Sequence, residues 1–239
     1  MSEPTSRKSD PPTTSQALRH RWPFAVVLAA SLLLAVAQPL MSELFDERRS
    51  FDFFFSLLIV TVLRLVFEQR EYRSLAFGLG LAAFVGIWVS HGFSGQASRL
   101  LLIGSQLVAA CFFAFALYGI LRAILAKQAS GDAIFGALVG YLLLGIIWSV
   151  LYSAVEMASP GSFRLPASAG TDVAGTAPDR GDLSYFSFIT LATVGYGDVT
   201  PTTPLARTMA WIEAIVGQFY LAVLVAGLVG FKVTQAMKE

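Results

Sequence analysis

The sequence predicts an all-α membrane protein of six transmembrane helices, with a short re-entrant helix and a glycine-containing loop between the fifth and the sixth. Three observations lead there. Hydrophobic residues make up 55% of the 239 residues and charged ones 14%, with a mean hydropathy of +0.65, too apolar for a soluble chain of this length. Six apolar runs are each long enough, or nearly so, to cross about 30 Å of hydrocarbon. A further run, Leu183 to Ala192, is too short to cross and leads straight into Thr193-Val194-Gly195-Tyr196-Gly197-Asp198.

Residues 1–21 are rich in Ser, Thr, Pro and charge, with nothing apolar enough to pack, and read as a disordered cytoplasmic tail. The first run, Trp22 to Met41, has basic flanks and the tripeptide Ala35-Val36-Ala37, which also suit a cleaved leader. It is longer than a leader's apolar core, and a retained helix is expected. Runs at Phe51 to Phe67, Leu75 to Phe93 and Leu100 to Ala126 complete a four-helix domain over 22–131. With the N-terminus inside, the cytoplasmic segments collect most of the 17 basic residues, from Arg7, Lys8, Arg19 and Arg21 through Arg64, Arg70, Arg73, Arg122 and Lys127 to Lys232 and Lys238. Both termini are then cytoplasmic.

The four-helix domain shows no chemical motif. Gly78, Gly80, Ala82 and Gly86 are small residues at spacings that let helices approach in lipid. Arg99 and Arg122 stand at opposite ends of the fourth run, and residues 100–121 carry no basic side chain. A helix that senses voltage needs a ladder of positive charges to move through the field, so this domain is not expected to be one. The net charge of +1, with dispersed basic residues, gives no nucleic-acid footprint. Cys111 is the sole cysteine, and His20 and His91 stand alone, so no metal centre or cofactor is expected and the chain does not read as an enzyme.

The rest of the chain reads as one unit over 132–233, with helix 133–157, an exposed connection 158–181, short helix 183–192, loop 193–198 and last helix 205–233, before a short tail at 234–239. Gly136 and Gly140 on the first of these helices are packing residues. Asp182 stands where an N-cap is wanted. A half-depth helix directs the negative end of its dipole toward the bilayer centre, where a cation is least stable. In the loop, glycines at alternate positions permit backbone conformations that turn successive carbonyls to one side. The oxygens of Thr193, Val194, Gly195 and Tyr196, with the Thr193 hydroxyl, then form a ladder able to replace a cation's water. One strand offers too few, so further copies must face it around an axis.

This loop in this setting resembles the filter of potassium channels, most closely small bacterial channels of the two-helix pore type, and the resemblance covers Asp132 to about Val233. It implies a homotetramer in the cell membrane, a bacterial inner membrane by the likeness, that conducts K+ bound at Thr193, Val194, Gly195 and Tyr196, with Gly197 completing the filter. K+ and membrane lipid are its expected partners. Many relatives carry a pair of tryptophans where this pore helix has Tyr185 and Phe186. Phe186 cannot donate to Tyr196, whereas the Tyr185 hydroxyl is within reach of Asp198. Gly217 holds the offset of the family's hinge glycine, close packing being the other reading. Ala214, Gln218, Leu221 and Val225 share the face that the family turns to its cavity. Glu213, deep in an apolar helix, needs a partner, and groups of the pore helix such as the Thr190 hydroxyl are expected to supply it. With only Lys232 to Glu239 after the last helix, no cytosolic ligand domain is expected.

Overall fold

The computed structural model describes residues 27–29, 32, 47–67, 73–126, 131–165 and 178–237. The elements are α1 (Glu47–Phe67), α2 (Arg73–Ser90), α3 (Gly95–Ala126), α4 (Gly131–Ala158), β1 (Phe163–Arg164), α5 (Arg180–Leu191), β2 (Thr200–Pro201) and α6 (Pro204–Ala236). Of the first expected run only residues 27–29 and 32 are described, and they are helical. Two described stretches, Gly95–Arg122 and Phe135–Ala158, are long and apolar enough to cross a membrane, and Ser74–Ser90 is a shorter apolar helix. The helices run past their expected ends: α3 starts five residues before Leu100, and α6 continues through Ala236, so the expected tail at 234–239 begins inside a helix.

Helices α1 to α4 pack in sequence order, and α4 then holds both α5 and α6. A continuous core joins Phe55, Leu58 and Val62 of α1 to Ala83 and Ile87 of α2, Phe112, Phe113 and Ala116 of α3, and Leu143 and Ile146 of α4. Phe55 meets Phe113 edge-on, with ring centroids 5.5 Å apart. The small residues of α2 act unequally. A methyl built on Gly86 would lie 2.9 Å from Ser105 Cβ and one on Gly80 3.2 Å from the Phe112 ring, but Gly78 faces open space and does not bring helices together.

Between α2 and α3 the chain turns in four residues, and Gly95 opens α3 at φ +65°. Arg99 donates from Nε to the Met157 carbonyl and from Nη2 to the Ala158 carbonyl, 3.1 Å away for the second. It therefore places a cation on the negative end of the α4 dipole and satisfies carbonyls that the helix leaves unpaired. The start of the expected turret is not a loose loop. Both Glu156 carboxylate oxygens accept backbone amides, from Gly161 at 2.7 Å and Phe163 at 2.9 Å, and β1 pairs antiparallel with β2, Phe163 opposite Pro201. This clamp fixes the chain entering and leaving the loop region. A second small core, Tyr152, Phe163, Leu183, Phe186, Val199 and Ala206, sits beneath it.

Candidate functional site

The short helix α5 begins earlier than the sequence implied. Its N-cap is Asp179, not Asp182; Asp182 is the third helical residue and completes a reciprocal box, its amide donating to Asp179 Oδ1 at 2.7 Å while the Asp179 amide donates to Asp182 Oδ2 at 3.1 Å. The helix is 12 residues long, or about 18 Å. Its last turn seats the loop that follows. The Ile189 carbonyl accepts from the amides of Val194 at 2.8 Å and Gly195 at 3.2 Å, and the Thr190 carbonyl from Thr193 at 2.9 Å.

From there the backbone alternates. Thr193, Gly195 and Gly197 have φ values of 57°, 56° and 80°, while Val194 and Tyr196 between them do not enter the left-handed region. Alternating hand along a strand brings successive carbonyls to one side, the geometry a cation ladder needs. Glycine serves at two of the three positions. Thr193 holds the third against a preference of about 1–2 kcal/mol for the right-handed form, strain of the kind concentrated at functional sites. Gln218 of α6 donates from Nε2 to Thr193 Oγ1 at 3.2 Å, so it touches the foot of the ladder directly.

At the other end of the loop the Tyr185 hydroxyl donates to Asp198 Oδ2 at 2.5 Å, and the Val199 amide to Asp198 Oδ1 at 3.0 Å. The Tyr185 hydroxyl holds the Asp198 carboxyl below its ordinary 3.8, and the same bond pushes Tyr185 up to about 12. Phe186 joins the wall, its ring 5.2 Å from Tyr152 and 5.4 Å from Phe163.

Glu213 is fully buried in α6 against the back of α5. A pore-helix hydroxyl does meet it, as expected, but it is that of Ser187 and not of Thr190. Tyr152 of α4 donates to Oε2 at 2.5 Å, and Ser187 of α5 lies 2.6 Å from Oε1 and 2.7 Å from the Gly145 carbonyl. One carboxyl thus ties three helices behind the loop. Gly217, one turn on, packs its Cα against the Leu191 carbonyl and side chain, where any Cβ would collide with backbone. Close approach accounts for this glycine, and α6 continues through it.

Residues 137–232 match the protein-family model described as "Ion channel". Over 94 residues the chain is 33% identical to "Two pore potassium channel c" of Oryza sativa subsp. japonica, a stretch that is 39% of this chain and 18% of that protein. Over 87 residues it is 34% identical to an inward rectifier potassium channel of Paramagnetospirillum magnetotacticum, 35% of this chain and 24% of that one. Residues 137–232 thus carry an ion-channel family match, and the relatives they are similar to are potassium channels. "Two-pore potassium channel 5" of Arabidopsis thaliana is 36% identical over 50 residues, 21% of this chain and 12% of its own length. The aligned part therefore spans no more than a quarter of the relatives' own length. No solved structure matches the chain.

Within the pore domain, sequence reasoning singled out Glu213 from its depth but missed Tyr152 and Ser187, which lie 61 and 26 residues away in the chain. It also missed the left-handed Thr193. No sequence signal separates Ser187 from Thr190, since each lies one helical turn from an apolar residue of α5, Leu191 and Phe186 respectively.

Proposed function

We propose that four copies of this chain assemble around the loop Thr193 to Asp198 and conduct K+ passively across a cell membrane. The observation that carries this reading is the alternation of left-handed backbone at Thr193, Gly195 and Gly197 in a loop seated on the carbonyl end of a half-length helix. The K+ ligands are the carbonyls of Thr193, Val194, Gly195 and Tyr196 with the Thr193 hydroxyl, and Gly197 completes the turn to Asp198. Val194 and Tyr196 are 51% and 73% exposed in the single chain, a surface that neighbouring copies would cover. Leu205, Trp211, Phe219 and Val223 of α6 are also exposed and apolar, fit for lipid or another subunit.

Each subunit carries six membrane helices with both termini cytoplasmic, in a bacterial inner membrane. Its pore relatives are channels, and the chain is a conductor with no catalytic role and no cofactor beyond the permeant ion. In this reading α3, which carries no basic residue from 100 to 121, does not sense voltage, and no cytosolic ligand domain gates the pore. The purified chain in liposomes should pass K+ and Rb+ and strongly exclude Na+. Comparable K+ and Na+ flux refutes the proposal.

A further inference from the structure

We propose that Asp52, outside the pore domain, is a positioning residue for the filter, and that through it the accessory helices set the placement of the pore helix. This rests on the reading of residues 193–198 as a K+ filter. Asp52 lies in α1 and is wholly buried, beside Phe51 and Phe55 of the same core. Its Oδ1 accepts from the Arg180 guanidinium, and its Oδ2 meets His91 Nε2 at the end of α2, 3.0 Å away. Arg180 is the first residue of α5, and its guanidinium also sits over the Phe51 ring, 5.6 Å from the centroid. One carboxylate thus joins α1, the α2 end and the pore helix across 128 residues of sequence.

Two features say that this contact locates the pore helix. A cation in the first turn of a helix stands at the positive end of the dipole, so Arg180 is unfavourable there unless a counter-charge meets it. A carboxylate taken fully out of water is held only by partners, and both Asp52 oxygens have theirs. The contact compensates both charges, which favours one separation between α1 and the start of α5. One turn along α1, Ser56 accepts from Trp88 Nε1 at 3.0 Å, so α2 braces α1 at this end. The other end of α5 carries the filter, because the Ile189 carbonyl holds the amides of Val194 and Gly195. A rigid helix of 12 residues lies between, and a shift at Arg180 reaches Ile189.

The test uses the full-length channel in planar bilayers with Asp52→Asn, Arg180→Gln, the double variant and Asp52→Glu. Mean open time and the K+/Na+ permeability ratio are properties of each open channel and do not depend on how many channels assemble. Each neutral single variant should shorten openings about 3- to 30-fold and lower the permeability ratio. The double variant should be no worse than the worse single one, and Asp52→Glu should recover most of the loss. If the wild type is K+-selective and Asp52→Asn keeps its open time and ratio, or merely yields fewer channels, the inference is overturned and the filter reading stands. If the wild type passes no K+, the filter reading fails, and amide hydrogen exchange of residues 183–191 in the assembled protein decides the strut alone. Faster exchange in Asp52→Asn than in Asp52→Glu supports it, and equal exchange overturns it.

Discussion

Removing the Glu213 carboxyl separates a hydrogen-bonded tie from simple filling of space behind the filter. In Glu213→Ala the two hydroxyls fare differently. Ser187 keeps the Gly145 carbonyl as an acceptor at 2.7 Å, and its single proton serves that bond fully. Tyr152, boxed in by the rings of Trp148, Phe163 and Phe186, loses the acceptor on Glu213. An orphaned buried donor costs about 1–3 kcal/mol, and the emptied volume adds about 1 kcal/mol. Against this, side-chain hydrogen bonds between membrane helices average only about 0.6 kcal/mol, because the separated helices find other partners in lipid. The lower half of the range therefore applies, about 2–3 kcal/mol per subunit.

Glu213→Gln should cost less than about 1 kcal/mol. The side-chain carbonyl still accepts from Tyr152, the amide donates to Ser187 Oγ, and Ser187 donates to Gly145, so every group is paired. The assay is thermal dissociation of the detergent-solubilised assembly, with mean open time as a second readout. A cycle of Glu213→Ala and Tyr152→Phe should give a coupling of about 0.5–1.5 kcal/mol. If Gln harms as much as Ala, the hydrogen-bond count is wrong and shape alone matters. If neither substitution changes dissociation or open time, Glu213 is a spectator.

Gly195→Ala and Gly197→Ala should abolish K+ flux, since each imposes about 1–2 kcal/mol of left-handed strain in each of the four proposed subunits; near-normal flux in either contradicts the alternating backbone. Gly217→Ala should destabilise the assembly by more than Gly217→Ser differs from it, because the first added carbon already meets the Leu191 carbonyl; thermal dissociation unchanged from wild type would refute the close approach. The Asp198 value lies below 3.8 and the Tyr185 value near 12, so their bond is complete from about pH 5 to 9, is lost as pH falls from 3.8 through the lowered Asp198 value, and is lost again above about 12. Conductance should not titrate through Asp198 in the central range, and Tyr185→Phe should raise the pH at which acid acts, read from currents at stepped external pH. Open probability should depend weakly on voltage, steep gating needing about 3–4 moving charges per subunit; a steep curve abolished by neutralising Arg99 and Arg122 would make α3 a sensor.

What the sequence disclosed follows from the range of each interaction. The proposed filter loop stood out because its six residues are contiguous, and α5 was legible because a helix too short to cross a membrane can be counted. Its start was misplaced because Asp179 and Asp182, three apart, both suit a cap. The structure resolves the choice through reciprocity: with Asp179 at the cap, Asp182 returns a bond to its amide, whereas a cap at Asp182 leaves Asp179 with no such role. The left-handed Thr193 was not legible, since residue type favours the right-handed form there and only the ladder's demand for alternation overrides it.

Buried polar groups mark the limit more sharply. Depth alone requires that Glu213 have partners, yet nothing in helical period distinguishes the hydroxyl of Thr190 from that of Ser187, three residues before it on the same helix. The geometry decides, because Ser187 is buried against Gly145 of α4 and therefore on the side from which α6 also approaches. The same reasoning applies to Asp52, which sits in a run of phenylalanines and reads as an interruption of an apolar stretch. Its partners are separated from it by 39 and 128 residues, His91 just past the end of α2 and Arg180 on α5, a helix that sequence order does not place beside α1. In each case the sequence states that a compensating group must exist, and only the packing of the pore helix between α1, α4 and α6 identifies it.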